Sequence, residues 1–290
     1  MRILIFGASG FLGKKLFTHF AKNHTVKGTT HSKHNTLFAA VDITKKEAVD
    51  ILFQDFKPEI VIHCAAIVDV KKCEENHLLA DNVHIIGTRN IAELCAQYNT
   101  KLIYISTDYV FDGKTNRYTE KSVTSPLNYY GITKLKGEHI VQELVSNNII
   151  IRSSILYGFN DIKDKANFTF QVLSSLQKGN SVQLDDERIK YPIFIDDMAK
   201  CIGHLITSKV TGIFNVAIDK GYTRYEWAKL IAKIFDLDSS LIQPQNDTSH
   251  NQIVPKNVKL KIDKLLKTGF TPLNLEEGLR KLKKQLQEAL

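Results

Sequence analysis

MRILIFGASGFLGKKL, residues 1–16, sets the apolar run Ile3-Leu4-Ile5-Phe6 directly against Gly7-Ala8-Ser9-Gly10-Phe11-Leu12-Gly13. The run predicts a buried strand over Arg2–Phe6, and the residues around Lys14–Lys22 predict a helix. Glycines between such a strand and helix let the backbone approach a pyrophosphate, whose charge the helix N-terminus attracts. The stretch therefore reads as the first unit of a dinucleotide-binding sheet, with a purely structural glycine turn as the alternative.

Working outward, Thr25–Thr29 predicts a second strand, ending where a carboxylate would select NAD by binding the adenosine ribose. Here the chain reads Gly28-Thr29-Thr30-His31-Ser32-Lys33-His34, without a carboxylate. The hydroxyls of Thr30 and Ser32 and the Lys33 ammonium suit a 2′-phosphate, which favours NADP (as NADPH) over NAD. Asp42 and Ile43 either lie against the adenine, or Asp42 caps a helix over Thr44–Phe53.

Lys57-Pro58 breaks that helix, and Glu59–Cys64 predicts a strand ending in the small Ala65-Ala66, where a cofactor can approach closely. A long helix runs from Asp81 to Tyr98, Lys101–Ile105 is a further strand, and Asn148–Ser154 another. This alternation predicts an α/β fold with a Rossmann-type doubly wound parallel sheet. It occupies residues 1–157, with a smaller C-terminal substrate-binding lobe over 158–290 and a chain that can cross back. In that lobe Thr223 and Glu226 form a capping box for a helix reaching Phe235. The leucine stripe Leu275, Leu279, Leu282, Leu286 reads as core packing, with a homodimer helix as the alternative.

A chain of 290 residues with 43% hydrophobic and 24% charged residues has the composition of a globular protein with a sizeable core. No apolar run has membrane-spanning length, and the N-terminal one is too short for a signal peptide, so a cytoplasmic setting without membrane partners is expected. Cys64, Cys73, Cys95 and Cys201 show no metal-binding or disulfide spacing, and His84 has no partner at such spacing, so no metal is expected. The net charge of +8 suits either an acidic small molecule or lysine-rich solvated faces, and the lysines are too dispersed to suggest nucleic acid.

The chemistry sits in KLIYISTDYVF (residues 101–111) and PLNYYGITKLKGE (residues 126–138). Ligands of open α/β sheets bind beyond the carboxyl ends of the strands, which brings Ser106 and Thr107 to the crevice. On the following helix Tyr130 and Lys134, four apart, share a face, whereas Tyr129 and Lys134 do not. A lysine ammonium beside a phenol favours the phenolate and is expected to lower the Tyr130 pKa from about 10. Tyr130 then reads as proton donor to a carbonyl oxygen that Thr107 also hydrogen-bonds; a plain surface contact is the bland alternative.

These motifs, with STDYVFDG (residues 106–113), SPLNYYGITKLKGE (residues 125–138), KPEIVIHCAA (residues 57–66) and PKNVKLKIDKL (residues 255–265), resemble the dTDP-4-dehydrorhamnose reductase family of extended short-chain dehydrogenases/reductases over essentially the whole chain. The resemblance implies a catalytic set of Thr107, Tyr130 and Lys134, with Lys134 also holding the nicotinamide ribose, and dinucleotide contacts from Gly7, Gly10, Phe11, Leu12, Gly13, Asp42, Ile43, Ala65, Ala66, Ile67, Tyr130 and Lys134. It also implies a nucleotide-sugar site drawing on Thr107, Asp108, Val110, Ile155 and Arg188, and hydride delivery to C4 of a 4-keto-6-deoxyhexose nucleotide. Two positions depart from the family. Its RTSWVYG pattern reads Arg152-Ser153-Ser154-Ile155-Leu156-Tyr157-Gly158 here, so Ile155 replaces a sugar-packing tryptophan. Val254 stands where an arginine commonly precedes the proline, leaving Arg188 or Lys256 to meet a phosphate. The chain also resembles the NADP-binding regulatory β subunit of methionine adenosyltransferase, which makes a regulatory binding protein the alternative.

Overall fold

A computed structural model describes residues 1–31, 37–115, 117–159, 167–245 and 253–288. In chain order the elements are β1 (Arg2–Phe6), α1 (Phe11–Phe20), β2 (Thr25–Thr30), β3 (Ala39–Ala40), α2 (Lys46–Phe56), β4 (Ile60–His63), α3 (Val70–Glu75), α4 (His77–Asp81), α5 (Gly87–Gln97) and β5 (Lys101–Ile105). There follow α6 (Tyr129–Leu144), β6 (Asn148–Ser153), β7 (Leu156–Tyr157), α7 (Phe168–Gln177), β8 (Val182–Asp185), β9 (Ile193–Phe194), α8 (Ile195–Thr207) and β10 (Gly212–Val216). The last elements are α9 (Arg224–Phe235), β11 (Ile242–Gln245), α10 (Asp263–Leu266) and α11 (Leu275–Glu288).

The chain divides into two compact units, each drawn from separated segments. The first comprises Met1–Phe111, Val123–Ser153 and Ile202–Phe214; the second comprises Asp112–Ser122, Ser154–Cys201 and Asn215–Leu290. The first change of unit thus comes at Asp112, well ahead of residue 157, and the chain changes unit repeatedly thereafter.

A seven-stranded sheet runs in the order β10-β6-β5-β4-β1-β2-β3. The pairs joining β3, β2, β1, β4, β5 and β6 are all parallel. Strand order reverses between β1 and β4, so the crevice of a doubly wound sheet opens at their carboxyl ends. The apolar runs of β1 and β4 are buried along their length because helices cover both faces of such a sheet. Against it pack Val49, Leu52 and Phe53 of α2, Ile91, Leu94 and Cys95 of α5, and Ile140 and Val141 of α6.

Two helix boundaries differ from the sequence expectation. The Asp42 carboxylate accepts the Thr44 amide (3.0 Å) and hydroxyl (2.8 Å) in a local turn. That turn delays α2 to Lys46, and Asp42 is not its cap. The helix expected from Asp81 to Tyr98 is interrupted: a π-helical turn over Asn82–Ile86 separates α4 from α5. Hydrophobic periodicity does not disclose a single widened turn.

In the second unit β7 pairs with β9 and β8 with β11. The capping box forms, with Thr223 Oγ1 accepting the Glu226 amide (3.1 Å) and Glu226 accepting the Thr223 amide (2.9 Å). It starts α9, whose Trp227 packs edge-on against Tyr157 at 5.5 Å between ring centroids. The leucine stripe of α11 is internal: Leu275, Leu279 and Leu282 have no exposed surface and Leu286 is half-buried. No helix of the described residues is long and apolar enough to cross a membrane. Leu279→Ala should lower the unfolding free energy by about 2–5 kcal/mol in denaturant titration while leaving the hydrodynamic size unchanged, because the stripe fills a core.

Candidate active site

The helix that carries the predicted tyrosine and lysine is started by Asn128, whose side-chain oxygen accepts the Gly131 amide at 2.8 Å. In its first turn the two tyrosines part. Tyr129 donates its phenol to Asp81 (2.9 Å), stacks on His77 at 3.6 Å and gives its amide to Glu74. Those contacts hold it against α3 and α4. Tyr130 instead lies within reach of the Thr107 hydroxyl, which pulls its pKa down against burial. Thr107 also accepts the Tyr109 amide (3.2 Å) and donates to Asp108 (3.3 Å), which fixes the turn after β5. Ser106 faces inward, its hydroxyl donating to Glu138, so of the two hydroxyls expected at the crevice only Thr107 meets Tyr130.

Lys134 is 2% exposed, and its ammonium lies 4.0 Å from the centre of the Tyr104 ring. Burial pushes its pKa down to about 7, against the pull of Glu138. That pull is limited because Glu138 is already engaged by Arg152, with Nη2 to Oε2 at 2.6 Å and both groups buried. Burial likewise raises the Tyr130 phenol well above its ordinary value, with the Thr107 hydroxyl acting in the opposite sense. The sequence expectation of a lowered Tyr130 pKa is therefore corrected. Exclusion of water disfavours the charged form of each group and is the largest influence on both. Tyr130 stays protonated at neutral pH, as a proton donor requires.

The glycine turn lies at the sheet's reversal point. Gly7 has φ +80°, and a Cβ there would stand 2.6 Å from the Ala65 amide nitrogen; one on Gly13 would stand 2.1 Å from the Gly7 carbonyl oxygen. Internal packing thus explains these two glycines. Gly10 is different: its φ of −75° suits any residue, it is exposed, and an added Cβ would meet only the Gly7 oxygen, at 3.3 Å. Nothing else among the described residues approaches the place of that Cβ. The space a Cβ would fill lies at the start of α1, which has no side-chain cap and no acidic residue in its first turn. A pyrophosphate fits that cradle.

The other residues expected to contact a dinucleotide differ in their surroundings. Leu12 is buried and Phe11 half-buried. Thr30 is buried, and its hydroxyl meets that of Ser9 at 2.8 Å. Ser32 and Lys33 lie outside the described residues. Ile43 packs in the core, and its carbonyl accepts Asn90 Nδ2 at 3.0 Å. Ala65, Ala66 and Ile67 are half-buried just past β4, and the Ile67 amide donates to His84 Nε2 at 2.9 Å.

The substrate set is less unified. Asp108 is buried beside Thr107, and Val110 has no exposed surface, so its side chain presents nothing to a ligand. Ile155 and Arg188 belong to the second unit. Ile155 is half-buried, and Arg188 is buried with its guanidinium on Asp185 (3.2 Å), which offsets the charge proposed for a phosphate. Two residues to which sequence reasoning assigned no role in the site also contact the predicted set. Tyr104 lies beneath Lys134, and His84 packs edge-on to Tyr130 at 5.8 Å. The aromatic in β5 gave no signal beyond strand propensity. His84 falls in the unforeseen π turn, and nothing in the sequence disclosed its partners.

The RmlD substrate binding domain family matches residues 1–288. The chain is 33% identical to methionine adenosyltransferase 2 subunit beta of Xenopus laevis over 278 residues, covering 93% of this chain and 83% of that protein. It is also 33% identical to a probable low-salt glycan biosynthesis reductase of Haloferax volcanii over 249 residues, covering 84% and 83%. Among solved structures, dTDP-4-dehydrorhamnose reductase from Bacillus anthracis in complex with NADP superposes with a TM-score of 0.89 at 29% identity, covering 98% of each chain.

Two outcomes test this geometry. In a side-chain-labelled sample followed by NMR, Lys134 should titrate near pH 7, far from the ordinary lysine value of about 10.4. Because the neutral form is favoured only when folded, this lysine should make the protein gain stability as pH rises from about 7 toward the unfolded value. Gly10→Ala should leave the melting temperature near that of wild type yet weaken NADPH binding by tenfold or more, on the order of one lost phosphate contact.

Proposed function

The chain belongs to the RmlD substrate binding domain family, and on that premise we propose that it is an NADPH-dependent reductase of the 4-keto group of a nucleotide-linked 6-deoxyhexose, serving deoxysugar and cell-surface polysaccharide biosynthesis. The observation that carries this reading is that the Thr107 hydroxyl acts on the Tyr130 phenol, with Lys134 one helical turn further along the same face.

Bound NADPH supplies the hydride. The chain's residues do the rest. The bare Gly10 and the uncapped start of α1 receive the pyrophosphate. Thr107 and Tyr130 both hydrogen-bond the keto oxygen. As the carbonyl carbon gains the hydride, the C=O π pair moves onto oxygen and takes the phenolic proton of Tyr130, leaving an alcohol and a phenolate that solvent reprotonates. Lys134 in its ammonium form stabilises the negative charge on oxygen during the transfer. NADP over NAD is supported by the absence of a carboxylate after β2 and by the NADP complex of the Bacillus anthracis structure. Unpaired Cys64, Cys73, Cys95 and Cys201 suit a reducing cytoplasm.

A second reading has its own support. Methionine adenosyltransferase 2 subunit beta matches 93% of the chain, and Ile155 removes an aromatic surface for the sugar. On this reading the chain binds NADP and regulates a partner enzyme with little turnover of its own.

NADPH oxidation measured across a panel of nucleotide 4-keto-6-deoxyhexoses, dTDP-4-keto-6-deoxy-L-mannose first, separates the two. The reductase reading expects turnover that Tyr130→Phe cuts by about 10²–10⁴-fold, with NADPH affinity unchanged. Tight NADPH binding with no oxidation of any panel member would overturn it in favour of the regulatory reading.

A further inference from the structure

His84 is 1% exposed and lies in the π-helical turn between α4 and α5. Its two ring nitrogens have different partners. Nε2 lies 2.9 Å from the Ile67 amide, and Nδ1 lies 2.8 Å from Thr133 Oγ1. A backbone amide can only donate, so Nε2 must accept and carries no proton; a neutral imidazole then bears its proton on Nδ1. Nδ1–H donates to Thr133 Oγ1, leaving the threonine hydroxyl to donate onward to the Tyr130 carbonyl at 3.0 Å. Every link has one direction. The chain begins at the loop past β4, in the crevice where the sheet reverses, and ends on the backbone of the tyrosine.

The ring is also held neutral. Burial first and the Lys134 ammonium second push the His84 pKa down to about 3. A protonated ring would present a donor to the Ile67 amide, which is itself a donor, and the bridge would break. The π turn fits this role, since a widened turn re-aims one side chain out of an otherwise regular helix and such turns are frequent at functional sites.

We propose that His84 is a positioning residue: as the neutral Nδ1–H tautomer it ties the cofactor-side loop at Ile67 to Thr133 and Tyr130, holding the phenol in register with the nicotinamide. This rests on the reading of Tyr130 as proton donor. The two ends of the bridge are separable. Gln places an amide near Nε2 and keeps the Ile67 end alone; Asn places one near Nδ1 and keeps the Thr133 end alone.

The test combines imidazole ¹⁵N NMR of the wild type with NADPH affinity and steady-state kinetics of His84→Gln and His84→Asn. The wild-type spectrum should show the Nδ1–H tautomer, unchanged between about pH 5 and 8, far from the ordinary histidine value of about 6.5. His84→Gln should lower kcat about tenfold with NADPH affinity preserved; His84→Asn should weaken NADPH about tenfold, each the size of one buried hydrogen bond. An Nε2–H or charged ring at neutral pH overturns the bridge whatever the kinetics, as do two variants with wild-type kcat and affinity. If the wild type reduces no keto sugar while the tautomer holds and His84→Asn still weakens NADPH, the reductase reading fails and the bridge between Ile67 and α6 stands.

Discussion

A lysine ammonium with almost no contact with water is the constraint around which the first unit is organised. Taking such a charge out of water costs several kcal/mol, and a ring face returns only about 0.5–2 kcal/mol. The Tyr104 ring under Lys134 therefore offsets part of the cost and leaves the rest to appear as a depressed pKa. A full counter-charge would have cancelled it. Glu138 stands one turn along the same helix, but it is engaged by Arg152 and Ser106. The consequence is an amine balanced between its two forms near neutrality, beside a phenol that burial keeps protonated.

The surroundings of that pair are ordered by helix capping, by side-chain hydrogen bonds and by close backbone approach. Asn128 fixes where α6 begins and so which tyrosine enters the site. Tyr129 is held away by Asp81, Glu74 and His77. At the glycine turn, Gly7 and Gly13 are dictated by packing, whereas a Cβ at Gly10 would meet only the Gly7 carbonyl oxygen among the described residues. Helix capping and close backbone approach thus select the reacting residues before electrostatics tunes them. The second unit gives less to the chemistry within its own bounds. Its capping box starts α9 and the leucine stripe of α11 fills a core.

Much of the fold was legible because its signals are local. Residues 2–6 read as a strand, the glycines as a turn, and Tyr130 and Lys134 as one helical face; strand, turn and helix periodicity depend on neighbours in sequence. The capping box at Thr223 was readable for the same reason. The shared helix face of Tyr130 and Lys134, and Thr107 just past β5, were legible as places in the fold. The site was not legible at Val110, which alternation alone could not show to be sealed in the core, nor at Asp42, whose carboxylate closes a turn ahead of α2.

The sequence by itself determined the order of strands and helices, the glycine turn at the first crossover, and the spacing that puts a phenol and an amine on one face. Only the tertiary structure decided their protonation, because desolvation is set by residues distant in the chain that close over a group. Lys134 is covered through Tyr104, thirty positions earlier, and Tyr130 is linked to Ile67 through His84 and Thr133. Proximity along the helix pointed to a lowered tyrosine pKa, and burial reversed the sign. Distance along a helix is written in the sequence, but exclusion of water is a property of the assembled fold.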